Sequence, residues 1–237
     1  MFDYKELLNM YVPDEFGSNE YNEETSGIDE MFAQLPGDVI TRWGATQFVI
    51  MTKDSDKVAK IPFNGEEFEV EEPYYDEDGN ERFEYNTGFD YFRTNYCDLS
   101  YELYWEAKER GVERILAEIE YFGKSTNGVS IYLQEAVVPF DYVEGSSKYF
   151  KSDKEYEDSK GEFYALCERN RRTGANINWL MFPSDWMIAA LDYYGECFML
   201  SFLIFCREHG LNDFHDGNVG WRKNGSPVIL DWAGFNE

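Results

Sequence analysis

Asp213-Phe-His215-Asp-Gly-Asn218 sets a carboxylate and a carboxamide five positions apart, with an imidazole between them. Asp231 follows Asn218 by thirteen residues, at the end of a short apolar run, and Lys60 lies far upstream in the strand-like segment VAKIPF. Moving a phosphoryl group from a nucleotide calls for these side-chain types. A lysine grips phosphates, an aspartate orients the attacking hydroxyl and takes its proton, and an Asn and a second Asp offer oxygens to a hard cation. Asp213 and Asn218 alone are also common loop residues that bond their own backbone. A carboxylate closing an apolar strand, as Asp231 does, is costly without a ligand or donor, so its place there favours chemistry.

The order of these segments carries a resemblance. DFHDGN is similar to the D-x-H-x-x-N catalytic loop of the protein-kinase-like superfamily, and most similar to the aminoglycoside and choline phosphotransferase branch, whose loop reads H-G-D-L-H-P-G-N. DWAG at 231–234 resembles the metal-binding DFG-type element, and VAKIPF resembles the VAIK strand. The resemblance implies ATP and Mg²⁺ as cofactors, with Asn218 and Asp231 as metal ligands. It makes Asp213 the catalytic base or the residue that positions the hydroxyl, and gives the nucleotide phosphates to Lys60 with Glu102, chosen over Glu106, as its partner. Gly44, Ala45 and Thr46 would cover the phosphates, and Gln134–Val137, including Glu135 and Val137, would form the hinge that meets adenine. His215 would brace the loop.

The same resemblance implies an α+β, two-lobed kinase-like fold. Residues 1–30 would be an acidic arm, 31–138 an antiparallel-sheet N-lobe with an acidic insertion at about 64–98, and 139–237 a short, mainly helical C-lobe. Several positions depart from the family. Only Gly44 stands where kinases carry a glycine-rich loop, Leu211-Asn212 replace His-Gly, Asp216 replaces proline, and DWAG is a residue longer than DFG. Six residues follow Asp231, so an acceptor platform would come from residues 141–182, the insertion or another subunit. Small kinase-like proteins of phage and bacterial mobile elements are similar in this respect.

The elements that must position these residues follow from periodicity and punctuation. Residues 39–63 read as three strands broken at Gly44 and at Asp54–Asp56. YDEDGNERFEY carries an Asp78-Gly79 turn signal between segments able to pair as a hairpin. Asp76, Asp78 and Asn80 alternate as calcium ligands do, but the glycine and closing glutamate are misplaced for an EF-hand. Leu99–Tyr121 reads as a helix broken near Gly111, and 129–138 as a strand. A helix is expected around Tyr156–Arg171. One long, buried helix is expected from Pro183-Ser184 to Gly210, with His209 at its C-terminal dipole, followed by two strands joined at Lys223–Gly225. A short helix is expected around Asp3–Tyr11.

Composition narrows the partners. Of the 237 residues, 47 are acidic and 21 are Lys or Arg, a formal net charge of −26. That charge disfavours a phosphate backbone and hence nucleic acid, and leaves metal-bound nucleotide and a protein or small-molecule acceptor, basic ones included. Eleven of the carboxylates fall between Glu66 and Asp90, against Arg82 alone. At 43% hydrophobic residues the chain can still bury a core. Four cysteines without a CxxC pair fit buried free thiols and a cytoplasmic setting, and no apolar stretch is long enough for a membrane or signal segment. The expected activity is ATP- and Mg²⁺-dependent phosphoryl transfer to a hydroxyl, with AMP transfer open to the same ligands. An inactive kinase-fold binding protein is the alternative from another class, and an acidic decoy mimicking nucleic acid is a third reading that leaves the ordered motifs unexplained.

Overall fold

A computed structural model describes residues 2–18, 25–44, 46–53, 55–76, 80–90, 95–140, 150–173 and 182–232. The fold is mixed α+β. The chain divides into two compact units, Met1–Leu99 with Glu120–Gln134, and Ser100–Ile119 with Glu135–Glu237.

In the first unit, β3 (Ile40–Trp43), β4 (Gln47–Met51), β5 (Lys57–Pro62), β9 (Ser130–Glu135) and β8 (Ile119–Lys124) lie side by side in that order. The expected strands at 39–63 are β3 to β5, and they pair antiparallel, with Trp43 opposite Phe48 and Val49 opposite Lys60. Their alternation buries Phe48, Ile50, Ala59 and Ile61 on one core with Ile131 and Leu133. β5 is the middle strand, so its side chains have neighbours on both sides.

The N-terminal segment differs from a detached arm. A 3₁₀ turn spans Tyr4–Asn9, capped by Asp3, whose carboxylate accepts the Lys5 N–H at 3.0 Å. Phe2, Leu7, Met10, Val12 and Phe16 enter the sheet's core, joined by Ile28 and Met31 of α1 (Ile28–Gln34). Short β1 (Gly17–Ser18) and β2 (Thr25–Ser26) pair between these pieces. The acidic residues dominate the composition here, but the apolar ones decide where the segment goes.

β6 (Glu66–Tyr75) and β7 (Glu81–Asp90) form the expected hairpin in one continuous antiparallel register, Glu66 opposite Asp90 to Tyr75 opposite Glu81. Asp78-Gly79 and Ala45 lie outside the described residues, as do 141–149, 174–181 and 233–237. Asp76 accepts the Asn80 N–H at 2.8 Å and pairs with Arg82 at 3.1 Å, so its carboxylate closes the turn.

α2 (Tyr96–Glu109) starts at Asn95, whose side chain accepts the N–H groups of Cys97 and Asp98, each at 3.0 Å. The break expected near Gly111 is present, with α2 ending at Glu109, but no helix resumes after it. Gly111 takes φ 71°, and Val112 donates back to the Ala107 carbonyl at 2.9 Å, a left-handed stop that favours glycine. A 3₁₀ turn at Glu113–Ile115 follows, and Ile119–Lys124 is strand β8.

The second unit holds α3 (Asp153–Thr173), α4 (Ser184–Tyr194), α5 (Glu196–Glu208) and the antiparallel sheet β10 (Val138–Pro139), β11 (Val219–Trp221), β12 (Pro227–Ile229). The single long helix expected over 184–209 is two. Gly195 at φ 83°, ψ 156° ends α4 and opens α5, a conformation that needs no Cβ. Trp186, Met187, Met199, Phe202, Phe205 and Cys206 are buried. Trp186 Nε1 donates to the Gly220 carbonyl at 3.0 Å, fixing α4 on β11. Among the described residues no helix is long and apolar enough to cross a membrane.

Candidate functional site

The loop 211–218 is held by its own apolar residues. Leu211 and Phe214 are 3% and 2% exposed. The Phe214 ring stacks on Phe182 at 4.4 Å, and Phe182 stacks in turn on Trp186 at 5.2 Å. With Phe214 anchored, Asn212, His215 and Asp216 are exposed and Asp213 is half-buried. The motif is thus an anchor flanked by polar groups, and the hydrophobic effect supplies the rigidity that chemistry on a loop requires.

Asn218 is the organising residue. Its Nδ2 donates to the Asp213 carbonyl at 2.9 Å and to Asp213 Oδ2 at 3.1 Å. Its carbonyl accepts the N–H groups of Leu230 at 2.9 Å and Asp231 at 3.3 Å, and its own N–H bonds the His215 carbonyl at 2.9 Å. The structure therefore joins Asn218 to Asp213 through their side chains and to Asp231 through the backbone. Because both amide donor contacts go to Asp213, the remaining Oδ1 is the atom Asn218 has for a cation.

His215 braces the loop. Its Nδ1 accepts the Gly217 N–H at 3.0 Å, while Nε2 lies 3.9 Å from Asp213 Oδ1. This assigns the proton to Nε2. A Cβ on Gly217 would stand 2.9 Å from the ring's Cε1, so glycine lets the loop close on the imidazole.

The β11–β12 hairpin that carries Asn218 to Asp231 turns through Gly225 at φ 85°, with Arg222 N–H bonding the Ser226 carbonyl at 2.9 Å. β12 is fastened on its outer side by the Ala117 N–H to the Ile229 carbonyl at 2.8 Å. Trp232, directly after Asp231, is 1% exposed.

Arg222 is a residue the sequence reading missed. Its Nε faces both oxygens of Glu135 at 2.9 and 3.0 Å, and its two terminal nitrogens donate to the carbonyls of Arg114 at 3.0 Å and Leu116 at 2.8 Å. It was readable only as one of several arginines, because its partners lie about a hundred residues away. The expected hinge is consequently engaged at one end: the Glu135 carboxylate belongs to Arg222, and its N–H to the Glu118 carbonyl at 2.8 Å. Val137 lies between β9 and β10, half-buried.

The remaining expected residues are placed as follows. Lys60 is 5% exposed in the first unit, on the middle strand. Gly44 is exposed at the β3–β4 turn, where a Cβ would meet nothing within 4 Å, and the Thr46 carbonyl accepts the Phe63 N–H at 3.0 Å. Glu102 is exposed on α2 in the second unit. Glu106 is taken by Arg110 at 2.9 Å and approached by His209 at 3.1 Å, and His209 caps α5. A further carboxylate, Asp98, is half-buried in the first turn of α2 and accepts the Tyr132 hydroxyl. Its position three residues after the Asn95 cap was the available signal.

The residues at 213–231 that could hold a metal are Asn218 and Asp231, whose carboxamide and carboxylate oxygens are of the type a hard cation such as Mg²⁺ takes. Among the described residues no group of three or more His, Cys, Asp or Glu gathers as a metal site. Compared with protein families, with curated proteins and with solved structures, the chain finds no match.

Proposed function

We propose that the chain is a kinase-like phosphotransferase that moves the γ-phosphoryl group of ATP, with Mg²⁺, to a hydroxyl of a protein or small molecule. The observation that carries this is Asn218 bonding the Asp213 carboxyl while its carbonyl accepts from Asp231. Three oxygen-bearing side chains that phosphoryl transfer needs are thereby tied to one loop and one strand end.

In this reading Asp213 accepts the proton of the attacking hydroxyl and orients it, held in register by the Asn218 amide and by Phe214 beneath it. Asn218 Oδ1 and the Asp231 carboxylate would hold the cation, which when bound neutralises charge building on the phosphate oxygens. His215 keeps the loop closed through Gly217, and touches no substrate. Lys60, buried on the middle strand of its sheet, would bind the α/β-phosphates. The two-lobed kinase-like arrangement is part of the same proposal.

The test is thermal stabilisation by ATP with Mg²⁺, compared with ATP and chelator, followed by labelling of a host lysate with γ-labelled ATP. Stabilisation is expected in the native chain and is reduced in Asp231→Asn. Labelling is expected to fall by about 10² to 10⁴ in Asp213→Ala. No stabilisation at millimolar nucleotide would refute the reading. Stabilisation with labelling that Asp213→Ala leaves unchanged would make the chain an inactive nucleotide-binding relative. Label from the α-position instead would assign AMP transfer.

A further inference from the structure

We propose that the cleft between α3 and the α4–α5 pair docks an extended, Lys/Arg-rich segment of a partner protein. The cleft measures about 410 Å³ and lies within the second unit. Its floor is apolar but narrow: Phe163, Leu166 and Ile188 are buried, at 2%, 4% and 1% exposure. Its rim carries Glu162, Asp192 and Glu196 against one cation among the described lining residues, Arg169, which pairs with Glu196 at 3.1 Å.

This combination selects the occupant. A floor so little exposed offers little area to a bulky apolar ligand. The aliphatic stems of Lys and Arg fit such a strip, and their heads then reach the carboxylates of the rim. Along α3 the lining runs from Ser159 to Arg169, which at 1.5 Å per residue is about 15 Å. That length matches roughly four to five residues of extended chain. A second copy of this chain is a poor occupant, since each carries a net charge of −26. Arg169 already sits on Glu196 as an incoming guanidinium would, so it marks the binding mode and competes with it. The inference does not depend on phosphoryl transfer, because no group of the candidate catalytic loop lines the cleft.

The experiment measures binding of a short labelled peptide alternating Arg and Ala by fluorescence anisotropy, on the full chain at fixed ionic strength. Glu162→Gln with Asp192→Asn is expected to weaken binding about tenfold. Glu6→Gln with Glu109→Gln, which removes the same charge at exposed positions elsewhere, is expected to change it less than about twofold. All four positions lie outside the buried core, and unchanged melting curves verify the fold. Arg169→Ala is expected to tighten binding, and a photo-crosslinker on the peptide to map to 159–169 and 188–196. Equal weakening by both pairs would reveal general attraction to an acidic protein and overturn the proposal. So would crosslinks confined to the acidic hairpin, spermidine binding as tightly as the peptide, or self-association of the chain lost in Glu162→Gln.

Discussion

Asn218 contacts both of the segments that must meet in the candidate site, the Asp213 loop through its side chain and Leu230–Asp231 through its carbonyl. Replacing it with Asp removes the Nδ2 donor and sets a second carboxylate against Asp213, which approaches it at 3.1 Å in the native loop. Asn218→Asp is expected to cost about 1–3 kcal/mol of stability, read as a shifted urea midpoint. It is also expected to weaken stabilisation by ATP and Mg²⁺, although the residue type remains a good oxygen ligand. An unchanged urea midpoint would mean that the amide does not hold the loop. The loop motif was legible because its spacing is local. Arg222 was not, since its role consists of accepting partners at 114, 116 and 135 that only the fold delivers.

The elements show why local signals succeed and fail. The strands at 40–62 and the 219–229 hairpin follow from alternation and turn residues, and both stand where expected. The break expected near Gly111 is present, but the chain beyond it forms a 3₁₀ turn and strand β8 rather than helix, and the one helix expected over 184–209 is two. Gly195 sits inside apolar periodicity that continues on either side, and periodicity cannot say whether a glycine adopts a helical or a positive φ. Gly220 is a different kind of glycine, required by a neighbouring strand. A Cβ there would stand 2.2 Å from the Val138 carbonyl oxygen, a backbone atom of β10. Gly220→Ala is expected to destabilise by about 3 kcal/mol, seen in the melting temperature. Gly225→Ala, strained in φ but with open space around it, should cost about 1 kcal/mol. Equal losses at the two positions would refute the packing argument.

For the molecule as a whole, the acidic composition invites attention to carboxylates, yet burial acts strongly on neutral groups: it pushes the Cys206 thiol well up and raises two phenols with it. Burial pushes the Tyr194 hydroxyl up to about 12, within reach of the Arg114 and Pro227 carbonyls at 2.9 and 2.7 Å. Burial and then the Asp185 carboxylate push Tyr156 to about 12. An ordinary tyrosine ionises near 10.0. The folded chain therefore holds these protons longer than the unfolded chain. Their contribution to stability is fully present below pH 10 and is lost as pH rises from about 10 to about 12. Among the described tyrosines, Tyr194 and Tyr156 are expected to ionise last in an absorbance titration, with Tyr104, Tyr96 and Tyr11 also delayed. Tyr194→Phe should flatten the fall of stability over that range, and an unchanged slope would count against burial as the cause.

Amino-acid order alone was enough to specify the hairpins, the turn glycine at 225 and the grouping of Asp213 with Asn218, since each depends on residues within a few positions of one another. Tertiary structure decided that the acidic N-terminus is held by Leu7, Val12 and Phe16 in a core. It also decided that Glu135 answers to Arg222, and that a cleft with an acidic rim opens between α3 and its neighbours. These depend on which surfaces meet after collapse. Hydrophobic burial is non-directional, and nothing in a local pattern names the partner it will find.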